Sequence, residues 1–227
     1  MDKNNFDVRA AYESAKQTDT VEMNGRYHLG MREIQTFKLL AQESGIALPR
    51  NTAFLDLGCA DRYLEKACVA EGWLYTGLDY SNLNFEFDTF PLADASIDVA
   101  ASLAVIEHLR DPAKFLSEIY RCLKPGGVVY LSTPNFRLDW KNFYNDPTHV
   151  RPYTPESIEQ LLKLQGYDSV KSYPGLRCKD IAWYRGKHRF LKAYYLLPFR
   201  YDTRLPVPSF LKGHARSVFA LGRKQLT

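Results

Sequence analysis

Along the middle of this chain, short apolar runs that end in glycine or an acid alternate with segments of helical period, and that alternation leaves few folds open. Thr52–Leu57 runs into a turn at Gly58, and a helix is expected over about 62–71. Trp73–Leu78 reads as a second strand, Phe85–Phe87 as a third and Ile97–Leu103 as a fourth; Val128–Ser132, Tyr167–Ser172 and Ser217–Leu221 complete a set of seven. Pro112–Leu123 sets Phe115, Leu116, Ile119, Tyr120 and Leu123 on one helical face, and Lys124-Pro125-Gly126-Gly127 stops it. Pro155–Lys163 is a further helix, ended at Gly166. Strands this apolar need cover on both faces, which points to an α/β fold: a doubly wound, mostly parallel sheet of seven strands with helices on both sides. In such a sheet ligands sit beyond the carboxyl ends of the strands, so functional residues should follow each strand directly.

The flanks are different. Residues 7–17 form a short polar helix and 27–44 a longer one, with Leu29, Ile34, Phe37, Leu40 and Ala41 apolar and Gly45 as the stop. The reading divides the chain into an N-terminal helical segment or lid (1–48), a core (49–175), a basic aromatic insertion (176–213) and the last strand (214–227). A hydrophobic content of 45% with 14% aromatics excludes a disordered chain. No run approaches the ~18 apolar residues of a membrane span, and the first residues lack the apolar stretch of a secretory signal. The cysteines Cys59, Cys68, Cys122 and Cys178 are scattered, without a CxxC pair, so no metal site or disulfide framework is expected and a reducing, cytoplasmic setting is.

Two strand ends carry chemistry. Phe54-Leu55-Asp56-Leu57-Gly58-Cys59-Ala60-Asp61-Arg62 closes one strand and opens a helix, and its glycine allows close backbone approach to a ligand. Taken alone it is an ordinary strand-to-helix turn. Asp79 ends the second strand 21 residues after Gly58, where a carboxylate can hold a ribose hydroxyl pair, and Tyr80 beside it can cover an adenine face. The bland alternative for Asp79 is a turn residue or helix cap.

With these motifs in place, Phe90–Asn135 (FPLADASIDVAASLAVIEHLRDPAKFLSEIYRCLKPGGVVYLSTPN) resembles the class I S-adenosylmethionine-dependent methyltransferases, especially their small-molecule branch, through its acid-rich turn, IEHL helix start and LKPGG turn. The resemblance spans roughly residues 50–172 and implies a Rossmann-like sheet with S-adenosylmethionine as cofactor. It implies that Asp56, Gly58, Cys59 and Ala60 cradle the methionine part, Asp79 the ribose, and Tyr80 with Glu86 or Phe87 the adenine. Ser102, Leu103 and Ala104 would pass the sulfonium, and Asn135 would face the acceptor. The chain departs from that pattern at Ala60 and Arg62, where glycine is common, and between Asp79 and Glu86, where the usual helix does not fit. A left-handed backbone at Ala60 would cost about 1 kcal/mol.

On the acceptor side, Phe143–Pro155 holds three prolines and a set of polar residues after the fifth strand. Similar DPTHVRPYTP loops occur in methyltransferases of bacterial surface-polysaccharide pathways. The functional reading makes His149 a general base oriented by Asp146, with Arg151 or Tyr153 binding the acceptor; the alternative is a histidine that packs within a rigid loop. His108, in IEHL, is expected to orient the loop after the fourth strand. No metal is expected.

Charge is unevenly distributed. Residues 176–227 carry twelve Lys or Arg against two Asp, and nine aromatics. A helix over Ile181–Leu197 would place Arg185, Arg189 and Lys192 on one face, which suits a solvated surface, an oligomer contact, an anionic membrane or a lipid-linked acceptor. No nucleic-acid-binding pattern is present. The expected function is O-methylation of a small-molecule or sugar acceptor, lipid-linked or free, in cell-surface polysaccharide assembly. A catalytically silent scaffold of the same fold, and an RNA or protein methyltransferase using the basic tail, remain open.

Overall fold

The computed structural model describes residues 23–175, 197–199, 205–208, 211–212 and 216–226. The helices expected over 7–17 and Ile181–Leu197, and with them Arg185, Arg189 and Lys192, lie outside these residues.

The elements in order are α1 (Met23–Glu43), β1 (Ala53–Leu57), α2 (Glu65–Ala70), β2 (Leu74–Leu78), β3 (Ile97–Leu103), a single 3-10 turn at Ile106–His108, α3 (Ala113–Cys122), β4 (Leu123–Pro134), α4 (Phe136–Phe143), α5 (Pro155–Leu164), β5 (Asp168–Gly175) and β6 (Ser217–Arg223). One sheet of six strands runs β2-β1-β3-β4-β6-β5. The first four are parallel, while β6 is antiparallel to both β4 and β5. The strand order reverses between β1 and β3, so the carboxyl ends of those two strands open onto the switch-point crevice.

Strand alternation decides which helix covers which face. Leu55 and Leu57 point to one side, where α3 and α5 supply Phe115, Leu116, Ile119, Ile158 and Leu162. Phe54, Val99, Ala101 and Tyr130 point to the other, where α1 supplies Ile34, Phe37, Leu40 and Ala41. Phe37 stands 5.0 Å from Tyr130, and Phe54 stacks on Trp73 at 5.5 Å. Burying each such ring contributes roughly 2–3 kcal/mol. The stretch of α1 from Ile34 to Ala41 is thus a layer of the core. Gly30 lets α1 pass close to the turn before α2, since a Cβ there would lie 2.3 Å from the Tyr63 carbonyl oxygen.

Among the described residues the sheet has six strands, not seven. The expected strand at Phe85–Phe87 is a turn. Phe85 is instead fully buried against Tyr80, Phe90 and Phe115. A three-residue apolar stretch carries no periodicity, and burial of one ring satisfies it without strand pairing. The Lys124–Gly127 stop lies inside β4 as a bulge: Ile97 pairs with Leu123, but Val99 pairs with Val128. At the start of α5, Thr154 and Ser157 exchange side-chain to backbone hydrogen bonds and so cap the helix.

Candidate active site

The Gly58 turn is fastened to the end of β2. The Gly58 and Cys59 N–H groups both donate to the Leu78 carbonyl, at 2.8 and 3.2 Å. Gly58 has φ +79°, and a Cβ on it would stand 2.4 Å from a Val105 methyl group, so glycine is required on both grounds. Asp79 receives the Ala60 N–H on one carboxylate oxygen at 2.9 Å and the Ser81 N–H on the other at 3.1 Å. It therefore holds two turns together.

The departures from glycine have a structural counterpart. Ala60 and Arg62 adopt φ values of +45° and +59°, and Ala104 across the crevice has φ +59°. Each costs about 1 kcal/mol. Local bonds hold them: Ala60 through Asp79, Arg62 through the Glu65 carboxylate at 2.9 and 3.0 Å, and Ala104 through its N–H to the Ser132 carbonyl at 2.8 Å. Strained backbone of this kind gathers at ligand sites.

Asp56 lies under the turn, 3% exposed, and its carboxylate accepts from the Tyr75 hydroxyl at 2.8 Å. Burial pushes its pKa up to about 7, against the Tyr75 hydrogen bond, and the neighbouring Asp79 charge pushes the same way. A pair of carboxylates at the ends of adjacent strands favours a ligand that brings positive charge and hydroxyl donors.

The crevice itself is walled by Gly58, Tyr80, Phe85, Ala104, Val105, His108 and Leu109. Tyr80 stands where expected. Glu86 and Phe87 do not reach the crevice wall: a Glu86 carboxylate oxygen accepts the Asp111 N–H at 2.9 Å, and Phe87 is 76% exposed. Cys59 is buried, its sulfur 2.9 Å from where a Cβ on Gly77 would be, so only its backbone faces the turn. Ser102 is buried with its hydroxyl unbonded, and Leu103 packs toward the α1 face. Val105 and Leu109 are wall residues that sequence reasoning did not single out.

At its far end the crevice meets a pair of histidines. The His108 and His149 rings are 4.9 Å apart. His149 Nδ1 lies 2.7 Å from the Phe143 carbonyl and His108 Nδ1 3.1 Å from the Thr148 carbonyl. A carbonyl only accepts, so both Nδ1 atoms carry a proton. Burial, with His149 next to it, lowers the His108 pKa and keeps that ring neutral. Asp146 binds Thr148 through its hydroxyl and N–H, and comes within 3.8 Å of His149 Nε2. Burial would raise Asp146, but the Thr148 hydrogen bonds hold it below the usual carboxylate range. The group that fixes the His149 tautomer is thus the end of α4, an element absent from the sequence reading. Arg151 donates to the Arg110 carbonyl at 2.9 Å. Tyr153 and Asn135 are buried, linked by a backbone bridge, with unbonded side-chain polar atoms.

A doubly wound sheet with a glycine turn after β1 and an acid after β2 is the frame of the nucleotide-binding α/β folds. The chain belongs to the methyltransferase domain family, whose model matches residues 28–172. It is 42% identical over 132 residues to a protein of Mycolicibacterium smegmatis named a probable S-adenosylmethionine-dependent methyltransferase, covering 50% of this chain and 51% of that one. Over 101 residues it is 28% identical to a ubiquinone biosynthesis O-methyltransferase of Caulobacter vibrioides, covering 36% of this chain and 40% of the relative. It thus spans about half, or less, of the length of these curated relatives. The fold matches the crystal structure of a SAM-dependent methyltransferase from Archaeoglobus fulgidus with a TM-score of 0.55 at 20% identity, over 85% of this chain and 94% of the other. Among the described residues, no helix is long and apolar enough to cross a membrane.

Proposed function

We propose that this chain is an S-adenosylmethionine-dependent methyltransferase acting on a hydroxyl group of a small acceptor, with sugars, free or lipid-linked, as the first class to test. The observation that carries the reading is the continuity of the crevice from the Asp79-anchored Gly58 turn to His108, whose ring lies 4.9 Å from that of His149. When bound, S-adenosylmethionine supplies a methyl group already activated by its sulfonium. Asp79 accepts from the ribose hydroxyls, and the Gly58 turn with Asp56 beneath it receives the methionine end. Tyr80, Phe85, Val105 and Leu109 form an apolar wall that holds a planar base and excludes water. Alignment in such a site can supply ~7–11 kcal/mol of a bimolecular barrier. Transfer would break the S–CH3 bond, form the O–CH3 bond and release neutral S-adenosylhomocysteine, and the acceptor's hydroxyl proton would go to the His149–Asp146 pair. Relatives named as O-methyltransferases support a hydroxyl rather than an amine acceptor.

Calorimetric titration with S-adenosylhomocysteine, with NAD as control, tests the nucleotide. Binding of the former alone, weakened tenfold or more by Asp79→Ala, is expected. Methyl-label transfer to surface-polysaccharide sugars and phenolic acceptors tests the reaction, and His149→Ala should spare nucleotide binding and reduce turnover. A protein that binds neither nucleotide would sink the reading.

A further inference from the structure

The histidine pair does not stand alone. One ligand atom from each of Glu107, His108 and His149 lies within 4.8 Å of the other two. Glu107 is 1% exposed and both imidazoles are partly buried. The two segments that carry them are joined along their backbones, since the Val150 and Arg151 N–H groups both donate to the Glu107 carbonyl, at 2.9 and 3.0 Å. With each Nδ1 bonded to a backbone carbonyl, each imidazole has its Nε2 to offer an ion, and the Glu107 carboxylate belongs to the same cluster. The Thr148 hydroxyl, 2.8 Å from His108 Nδ1 and 2.5 Å from Asp146, donates to the carboxylate and so accepts from the imidazole. An imidazole whose outer N–H is held by a carbonyl or a hydroxyl, with its inner nitrogen bare, is the arrangement that metal-ligating histidines adopt.

We infer that Glu107, His108 and His149 form a binding site for a divalent transition-metal ion of the zinc type, at the acceptor end of the crevice. Two imidazole nitrogens and one carboxylate suit zinc or cobalt rather than magnesium, and three protein ligands leave a coordination position open. Donors at about 2.0–2.1 Å around a tetrahedral ion stand roughly 3.4 Å apart, so small side-chain rotations close the cluster on an ion. The role of the ion rests on the function proposed above. The open position takes the acceptor hydroxyl, whose proton becomes more acidic on coordination. With His149 engaged by an ion, Asp146, 3.8 Å from His149 Nε2 and open to solvent, would be the member of the His149–Asp146 pair left to take the acceptor proton.

The test uses the whole chain, stripped with chelator, dialysed against Zn²⁺ and desalted, with bound metal counted per chain; Co²⁺ gives an independent visible-absorption signature. One equivalent is expected for the unmodified protein. Glu107→Gln, His108→Ala and His149→Ala should each weaken binding at least tenfold. Thr148→Val leaves every ligand in place, removes the hydroxyl bonded to His108, and should weaken binding by 10–100-fold. His28→Ala, at an exposed histidine outside the cluster, should change nothing. S-adenosylhomocysteine titration of each variant checks that it is folded and separates the two readings. No metal retained by a protein that binds S-adenosylhomocysteine overturns the ion site and leaves the transferase standing. Metal lost equally in His28→Ala, or retained in all the cluster variants, also overturns it. One equivalent held by the cluster in a protein blind to S-adenosylhomocysteine supports the site and defeats the transferase.

Discussion

Replacing Asp56 by asparagine should make the protein more stable, and by an amount that depends on pH in one direction only. Asp56 is 3% exposed, and burial raises its pKa from 3.8 to about 7. The native state therefore holds a proton that the unfolded chain gives up between about pH 4 and pH 7. Stability contributed by this group is full below pH 4 and falls by about 1.4 kcal/mol per pH step across that window, on the order of 4 kcal/mol in all. Above pH 7 the loss is complete and constant. Asparagine carries no charge, has nearly the same shape, and keeps an oxygen for the Tyr75 hydroxyl now 2.8 Å away. Urea unfolding of both proteins from pH 4.5 to 8 checks this, with the m-values required to agree. The variant should match or trail the parent at pH 4.5 and exceed it by a few kcal/mol at pH 8. Two curves running parallel over that range would show that Asp56 ionises as it does in water, and would refute the burial argument. The gain should come with a loss: a ligand with a cationic end needs the Asp56 charge, so the stabilised variant should bind S-adenosylhomocysteine more weakly at pH 8.

Other perturbations follow from single contacts. Gly58→Ala forces a Cβ onto Val105 at φ +79° and should cost about 1–3 kcal/mol in urea unfolding, with S-adenosylhomocysteine affinity reduced more than tenfold; an unchanged affinity would contradict the placement of the turn. Glu118 is held at a pKa of about 2, where burial is outweighed by Arg121, the Phe90 N–H and Lys114. Glu118→Gln should therefore lose about 2–3 kcal/mol at neutral pH, and the difference should shrink as pH falls from 4.5 toward 2. Phe37→Ala, at a fully buried ring between Tyr130 and Trp73, should cost about 3–5 kcal/mol while sparing the relative affinities of the site variants.

All six strands and the helices α1, α2, α3 and α5 were legible because their signals are local. Leu55 and Leu57 alternate with Phe54 and Asp56, and a glycine or an acid marks where β1 and β2 stop, so both faces and the carboxyl-end residues could be read from spacing alone. That same logic brought Gly58, Asp79 and Tyr80 to one crevice, and made Ala60 and Arg62 the positions to question. The fate of Phe85–Phe87 could not be read, because whether a short apolar stretch pairs or merely buries one ring depends on the pocket that Phe90 and Phe115 offer it.

The histidine site was half visible. The sequence named His149 and Asp146 as neighbours in a proline-rich loop, and gave His108 a part in orienting the loop after the fourth strand. Only the tertiary structure decided that the 3-10 turn after β3 and the loop after α4 close on each other, setting two imidazoles 4.9 Å apart across forty residues of chain. It also decided which nitrogen of each ring is tied to a carbonyl, since the carbonyls of Phe143 and Thr148 are generic in sequence and specific only in place. Periodicity and turn chemistry are properties of neighbours along the chain and so belong to the sequence. Tautomer, burial and the meeting of distant loops depend on how the completed sheet packs, and no local pattern encodes them.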